Sequence, residues 1–312
     1  MKPFRQLSFR SLPDRPRIPH PWDRTTVRRE TLATESFGRV ETTWHTFGQG
    51  PPLLLVHGLM THGWSWRYVL EPLGARFTLY IPDLPGSGDS GKPDVSYPPD
   101  RLADWIGEFA AHVGIRGAAT IGNSLGGYLC LRLALRDPGA IGRLVDLHSP
   151  GVPLLRLWAL NTAMRLPFGD GLLRRLVHRD PERWVHRNVH YYDESLKSLE
   201  EARVWAEPLR SIDGVRAFGR VLRDTLDPRE MAAFVRTLAE RRDRGEPFPV
   251  PLLLVYAETD PMVPPSVGRE LEGLIPSASI RWMDRASHFA HVDAVDRFVP
   301  LVLPFLAPRT PT

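Results

Sequence analysis

Cysteine is almost absent from this 312-residue chain: Cys130 stands alone, which excludes an intrachain disulfide. Lysine is nearly as scarce. Lys2, Lys92 and Lys197 are the only three, so arginine supplies almost all of the 40 basic residues. That skew, beside 31 prolines, reflects a GC-rich genome better than a polyanion partner, since the net charge of +4 comes with no nucleic-acid motif. The densest basic runs, Arg5 to Arg29 and Arg236 to Arg244, are broken by Pro, Asp or Glu and read as solvated surface. Long apolar runs are missing too. Phe298 to Leu306 falls well short of the roughly 20 residues that span a bilayer, and Pro300 and Pro304 interrupt it. Met1-Lys2-Pro3-Phe4-Arg5 lacks the apolar core of a signal peptide, and no internal repeat is present. These absences point to a cytoplasmic protein with neither nucleic acid nor membrane among its partners. What remains, 42% apolar residues in a chain of this length, suits a globular protein of one α/β domain with an insertion or of two small domains.

Patterning along the chain divides it into an arm, a core and an insertion. Residues 1–26 are rich in Pro and Arg without periodicity and form an N-terminal arm. Val27 to Ser36 and Arg39 to Phe47 alternate as two antiparallel strands. Pro52 to His57 is a continuous apolar run, expected for a strand buried on both faces. A short helix over Trp64 to Leu73, a strand over Phe77 to Ile81 and a helix capped by Asp100 follow. Arg143 to His148, Val250 to Tyr256 and Ile280 to Met283 supply further strands, and a last helix runs from about Asp293 to Phe305. Strands alternating with helices give a mostly parallel, doubly wound sheet. The rhythm lapses at 151–226, where only helical stretches rich in aromatics occur, so a helical cap is expected there. The core then comprises 27–150 and 227–312.

The chemistry is expected at Gly122-Asn123-Ser124-Leu125-Gly126-Gly127. The Gly-x-Ser-x-Gly pattern lies between a short apolar strand and a helix, which places a serine on a strained turn facing a cleft. Cys130, on that helix, reads as a small buried hydrophobe. A serine nucleophile needs a base, an acid to orient the base, and donors for the oxyanion. His288 follows the last strand, Asp260 follows the strand ending at Tyr256, and the order Ser, Asp, His suits this architecture. His57-Gly58-Leu59 allows a turn that aims the Leu59 N–H at the cleft, and the Leu125 N–H opens the helix after the serine. His291 competes as base, and Glu258 and Asp146 compete as acid. His186 and His190, at i, i+4 spacing, form a metal pair without a third ligand, and no metal is expected.

Together these pieces resemble the α/β-hydrolase fold superfamily, on its lidded serine-hydrolase branch. The matching segments are His57-Gly58, Asp83 to Ser90, Gly122 to Gly127, Asp260 to Pro264 and Ser287-His288-Phe289. The resemblance implies an α/β-hydrolase fold with an eight-stranded, mostly parallel sheet flanked by helices, a helical cap over the site, and no cofactor. It assigns Ser124, Asp260 and His288 to the triad, Leu59 and Leu125 to the oxyanion hole, and a bracing role to His57. The activity it implies is cleavage of a small to medium, partly apolar carboxylic ester. A carbon–carbon hydrolase of aromatic ring-fission products and a hydrolase-fold ligand receptor are the alternatives. A serine at the elbow argues against the epoxide hydrolase and haloalkane dehalogenase branches, which place an aspartate there. Among the cap aromatics, Trp184, Tyr191 and Trp205 are the expected substrate contacts. The partner is a small molecule, and whether the chain forms a homodimer is left open.

Overall fold

A computed structural model describes residues 3–307. Eight strands form one sheet: β1 (Thr26–Thr34), β2 (Gly38–Phe47), β3 (Pro52–Val56), β4 (Thr78–Pro82), β5 (Ala118–Asn123), β6 (Ile141–Leu147), β7 (Leu252–Ala257) and β8 (Ser279–Met283). Their order is β1-β2-β4-β3-β5-β6-β7-β8. β2 pairs antiparallel with β1 and β4, while every pair from β4 to β8 is parallel. The burial follows from this topology. β1 lies at an edge and is mostly exposed, whereas β7 is buried at every residue. Along β3, Leu54 and Val56 enter the apolar core on one face and Leu53 and Leu55 the core on the other, as the two-residue period of a strand requires. The strand order reverses around β3, whose neighbours are β4 and β5, so the crevice at its carboxyl end is where a ligand site is expected.

Two sequence expectations change in detail. The helix expected from Trp64 to Leu73 is a 3₁₀ turn, Gly63–Trp66, followed by a single short helix, α1 (Leu70–Gly74). Asp100 does not cap the next helix, α2 (Pro99–His112). Pro98 holds that position, and Asp100 sits in the first turn, where Arg132 (2.6 Å) and Arg136 (3.2 Å) bind its carboxylate. The final helical segment is split into a single turn, Ala290–Asp293, and a longer helix, Val295–Leu306, which carries Pro300 and Pro304.

Between β6 and β7 the described chain is helical: α4 (Leu155–Arg165), α5 (Gly169–Arg179), α6 (Pro181–Asn188), α7 (Leu199–Ala206), α8 (Ile212–Arg220) and α9 (Pro228–Asp243). Asp227 caps α9 through the Arg229 N–H, with Pro228 at the first position. A third apolar cluster joins Val177, Tyr191, Trp205 and Phe218 of the inserted helices to Trp64, Phe289 and Val292 of the core. The arm joins the same assembly. Phe4 N–H donates to Tyr192, Gln6 to the His186 carbonyl, and Pro13 and Asp14 accept from Leu199 and Glu200. No helix among the described residues is long and apolar enough to cross a membrane.

One buried ion pair fastens core to insertion. The Arg67 guanidinium, fully buried, binds the Glu201 carboxylate of α7 and lies 3.7 Å from the Trp64 ring centroid. The Tyr191 hydroxyl donates to the same carboxylate at 2.7 Å. Removing one partner strands the other charge without water. Glu201→Ala should therefore lower the unfolding free energy by about 3–5 kcal/mol in urea titrations. A loss below about 1 kcal/mol would mean that water reaches Arg67 once the glutamate is gone.

Candidate active site

Backbone geometry at the end of β5 exposes one serine. Ser124 adopts φ 54° and ψ −120°, outside the regions ordinary L-residues favour. Its N–H donates to Leu147 of β6, and its carbonyl accepts from Tyr128 in α3 (Leu125–Arg136). The flanking glycines leave no room for side chains. A Cβ on Gly126 would lie 2.4 Å from the Val56 carbonyl oxygen, and one on Gly122 would lie 2.7 Å from the Gly126 backbone. The turn is thus held in a strained shape by its neighbours, and the serine borders a cavity of about 480 Å³.

His288 lines the same cavity. Its Nδ1 lies 2.7 Å from Asp260 Oδ2, so Nε2 is the nitrogen left for the serine side. The other Asp260 oxygen accepts from the Met262 (2.6 Å) and Val263 (3.0 Å) N–H groups. Burial alone would raise the Asp260 carboxyl. The charge and hydrogen bond of His288, with His148 and the Val263 amide, outweigh burial and hold it below the usual carboxylate range. Asn123 fixes this loop from the elbow by donating from Nδ2 to the His288 carbonyl (3.1 Å) and the Leu147 carbonyl (3.3 Å).

Leu59 and Leu125 also line the cavity, and neither N–H meets an acceptor among the described residues. His57 is fully buried beneath the Leu59 loop. Its Nδ1 lies 2.9 Å from the Gly58 carbonyl, and its Nε2 accepts the Leu84 N–H at 3.0 Å. Burial lowers its pKa to about 4, so the ring is neutral at pH 7 and braces the loop.

The competing residues sit elsewhere. His291 packs its ring centroid 4.3 Å from that of Trp66, and neither of its nitrogens has a hydrogen-bond partner among the described residues. Glu258 is exposed. Asp146 lies inside β6, fully buried, and accepts from Ser149 (2.8 Å) and Tyr256 (3.3 Å) without reaching His288. Burial pushes its carboxyl up to about 7 against those hydrogen bonds. A carboxyl whose folded pKa is raised costs stability as pH climbs from its unfolded value near 4 through about 7. Asp146→Asn should thus raise the melting temperature at pH 8 more than at pH 4 and leave turnover nearly unchanged. A collapse of turnover would make Asp146 the working acid.

The cap aromatics separate into two groups. Trp184 lines the cavity. Tyr191 and Trp205 do not, which corrects the expectation for both. Tyr191 is buried on Glu201 and Phe289, and Trp205 between Trp64 and Phe289 beside the Arg67 cation, so both serve the core–cap junction. Leucines take the place expected of them beside Phe218, with Leu154 at the N-cap of α4, Leu157 and Leu160 within it, and Leu173 and Leu222 further on. The i, i+4 histidines are also engaged: His186 Nε2 lies 2.9 Å from the Leu7 carbonyl, and His190 Nδ1 lies 3.4 Å from Glu194.

His148 is a neighbour that sequence reasoning left as a strand end. It adopts φ 58°, is fully buried, and lies with its ring centroid 5.6 Å from that of His288. Its Nε2 accepts the Ala257 N–H at 2.7 Å, which puts the proton on Nδ1, and burial lowers its pKa to about 3. His148, Asp260 and His288 bring donor atoms within 4.8 Å of one another, close enough for a cation. His148 Nε2, His288 Nδ1 and both Asp260 oxygens are engaged by backbone N–H groups or by one another, whereas His148 Nδ1 has no partner among the described residues. Its only sequence signal is a histidine at the carboxyl end of a central strand, beside the loop that carries Asp260.

Comparison with known proteins agrees with this fold. The family model for the alpha/beta hydrolase fold matches residues 51–295. The chain is 26% identical over 268 residues to the pimeloyl-[acyl-carrier protein] methyl ester esterase of Vibrio vulnificus (strain CMCP6), covering 84% of this chain and 96% of that protein. It is 26% identical over 291 residues to the 2-hydroxymuconate semialdehyde hydrolase of Pseudomonas sp. (strain CF600), covering 90% and 94%. Among solved structures, wild-type Cfl2 from Burkholderia cenocepacia superposes with a TM-score of 0.75 at 19% identity, covering 95% of this chain and 99% of that one.

Proposed function

The chain belongs to the α/β-hydrolase fold family and is a hydrolase, and from that premise we propose that it cleaves carboxylic esters with a small to medium apolar part through Ser124, His288 and Asp260. The observation that carries this reading is the Asp260–His288 contact of 2.7 Å, with His288 and a strained serine lining one largely apolar cavity. In the proposed reaction the Ser124 Oγ attacks the ester carbonyl as its proton passes to His288 Nε2. Negative charge builds on the carbonyl oxygen, which the Leu59 and Leu125 N–H groups stabilise. The alkoxide leaves with the proton from His288, giving an alcohol and an acyl-serine. Water then attacks the acyl group, His288 takes its proton and returns it to Ser124, and the acid departs. Asp260 holds the imidazole in one tautomer and stabilises its cation.

A carbon–carbon hydrolase reading has the 2-hydroxymuconate semialdehyde hydrolase relative in its favour. Against it stands Leu59-Met60-Thr61-His62 after His57-Gly58, less glycine-rich than that reaction's enzymes carry. Product analysis over a panel of alkyl esters, lactones and vinylogous diketones tests the choice. Esters should turn over steadily. Faster cleavage of the diketones would replace the ester reading, and a single turnover without recovery would point to a receptor.

Trp184 should shape the choice of ester. Trp184→Ala opens the cavity and should shift the ratio of kcat/KM between long and short acyl esters by about tenfold. An equal loss on every ester would mean that this ring holds the fold and does not meet the acyl chain.

A further inference from the structure

Seven of the ten large hydrophobic side chains that stand well exposed among the described residues fall between Leu155 and Leu176, on α4, α5 and the turn between them. In α4 the exposed residues Leu155, Trp158, Ala159 and Thr162 follow i, i+3, i+4, i+7 spacing, the stripe that usually faces a core. The buried residues of that helix, Asn161 and Met164, lie on its other side. In α5, Leu173 and Val177 are buried while Leu172 and Leu176 face out, and Phe168 in the turn is 84% exposed. Scattered exposed leucines carry no meaning, but a concentrated face of this kind marks a contact surface.

The charge on this face has one sign. α4 and α5 carry Arg156, Arg165, Arg174, Arg175 and Arg179 against Asp170 alone. Arg165 is paired with Asp227, and Asp170 with Arg223. Arg174, Arg175 and Arg179 are exposed and have no ion-pair partner among the described residues. Helical spacing puts Leu172, Arg175, Leu176 and Arg179 on one side of α5. The face also leads to the catalytic cavity, because Leu160 and Arg156 are both exposed and part of its lining.

We propose that the α4–α5 face docks on the surface of an anionic lipid bilayer. Phe168, Leu172, Leu176 and Trp158 enter the boundary between headgroups and acyl chains, and the unpaired arginines meet lipid phosphates. A second copy of the chain fits less well, since a two-fold contact would set the same unpaired arginines against each other. The tryptophan and the arginine stems suit a membrane interface, where an apolar body and a polar tip are both satisfied. The expectation of no membrane partner rested on the lack of a long apolar run; no helix among the described residues could span a bilayer, and a protein that lies on a membrane needs none. The surface is independent of which bond the enzyme cleaves.

Full-length protein should sediment with phosphatidylcholine vesicles containing phosphatidylglycerol, less with phosphatidylcholine alone, and less at high salt. Arg175→Glu with Arg179→Glu should weaken anionic-vesicle binding at least about tenfold. Phe168→Ser with Leu172→Ser should abolish it at any salt. These side chains are exposed, so melting temperatures should hold. As a check without destabilising changes, brominated lipid should quench the fluorescence that Trp158→Phe removes, and Ser124→Ala should bind as the wild type does. The proposal is overturned by no binding to anionic vesicles at low salt, by equal binding of the wild type and both double variants, or by a dimer that Phe168→Ser with Leu172→Ser dissolves while vesicles leave it intact.

Discussion

Replacing Ser124 with alanine should cut ester turnover by a factor on the order of 10⁵–10⁶, the scale seen when a serine nucleophile is removed from an intact triad. The loss is confined to chemistry because little else depends on the hydroxyl. The elbow is held by the Ser124 N–H on Leu147 and by close backbone approaches at Gly122 and Gly126, all of which alanine preserves. Melting temperature should barely move. A fluorophosphonate should phosphonylate the wild type at Ser124 and leave the variant untouched, as read by intact-protein and peptide mass spectrometry. Labelling at another serine, or turnover within tenfold of wild type, would remove Ser124 from the mechanism.

Much of this site was legible in the sequence because its geometry is enforced locally. The elbow needs glycine where a Cβ would strike neighbouring backbone, so its chemistry is written within six residues. The parallel strands were legible for a similar reason: burial on both faces turns β3 and β7 into unbroken apolar runs. Contacts across the chain were not. Arg67 meets Glu201 from 134 positions away, and neither residue carries a local sign that it is buried. Tyr191 and Trp205 are aromatic cap residues like Trp184, yet the hidden Arg67–Glu201 pair draws them into the junction, and leucines supply much of the cavity wall beside Trp184 and Phe218. The arm illustrates the same limit. Its bonds to Tyr192, His186, Leu199 and Glu200 run mainly through backbone groups, which composition does not reveal. At Asp100 a local rule misled: the residue is a good helix cap by type, but Arg132 and Arg136 on the neighbouring helix claim its carboxylate.

Asp260→Asn should lower kcat by a factor on the order of 10⁴, with little change in stability. Asparagine keeps one carbonyl oxygen, and that oxygen can still accept the Met262 and Val263 N–H groups that shape the loop. The other position changes character. Where Asp260 Oδ2 faces His288 Nδ1 at 2.7 Å, an amide N–H₂ would donate, so the ring must turn its lone pair to Nδ1 and place its proton on Nε2. A ring protonated on Nε2 cannot take the serine proton, and its cation loses the carboxylate that stabilised it. The loss should therefore appear in kcat far more than in KM, and fluorophosphonate labelling should slow in parallel because it needs the same proton transfer. Asp146→Asn serves as the matched control, since it removes a buried carboxylate of the adjacent strand that does not reach His288. If Asp146→Asn slowed labelling more than Asp260→Asn, or if Asp260→Asn lowered the melting temperature as steeply as the rate, Asp260 would be a loop anchor and the orienting acid would have to be sought elsewhere.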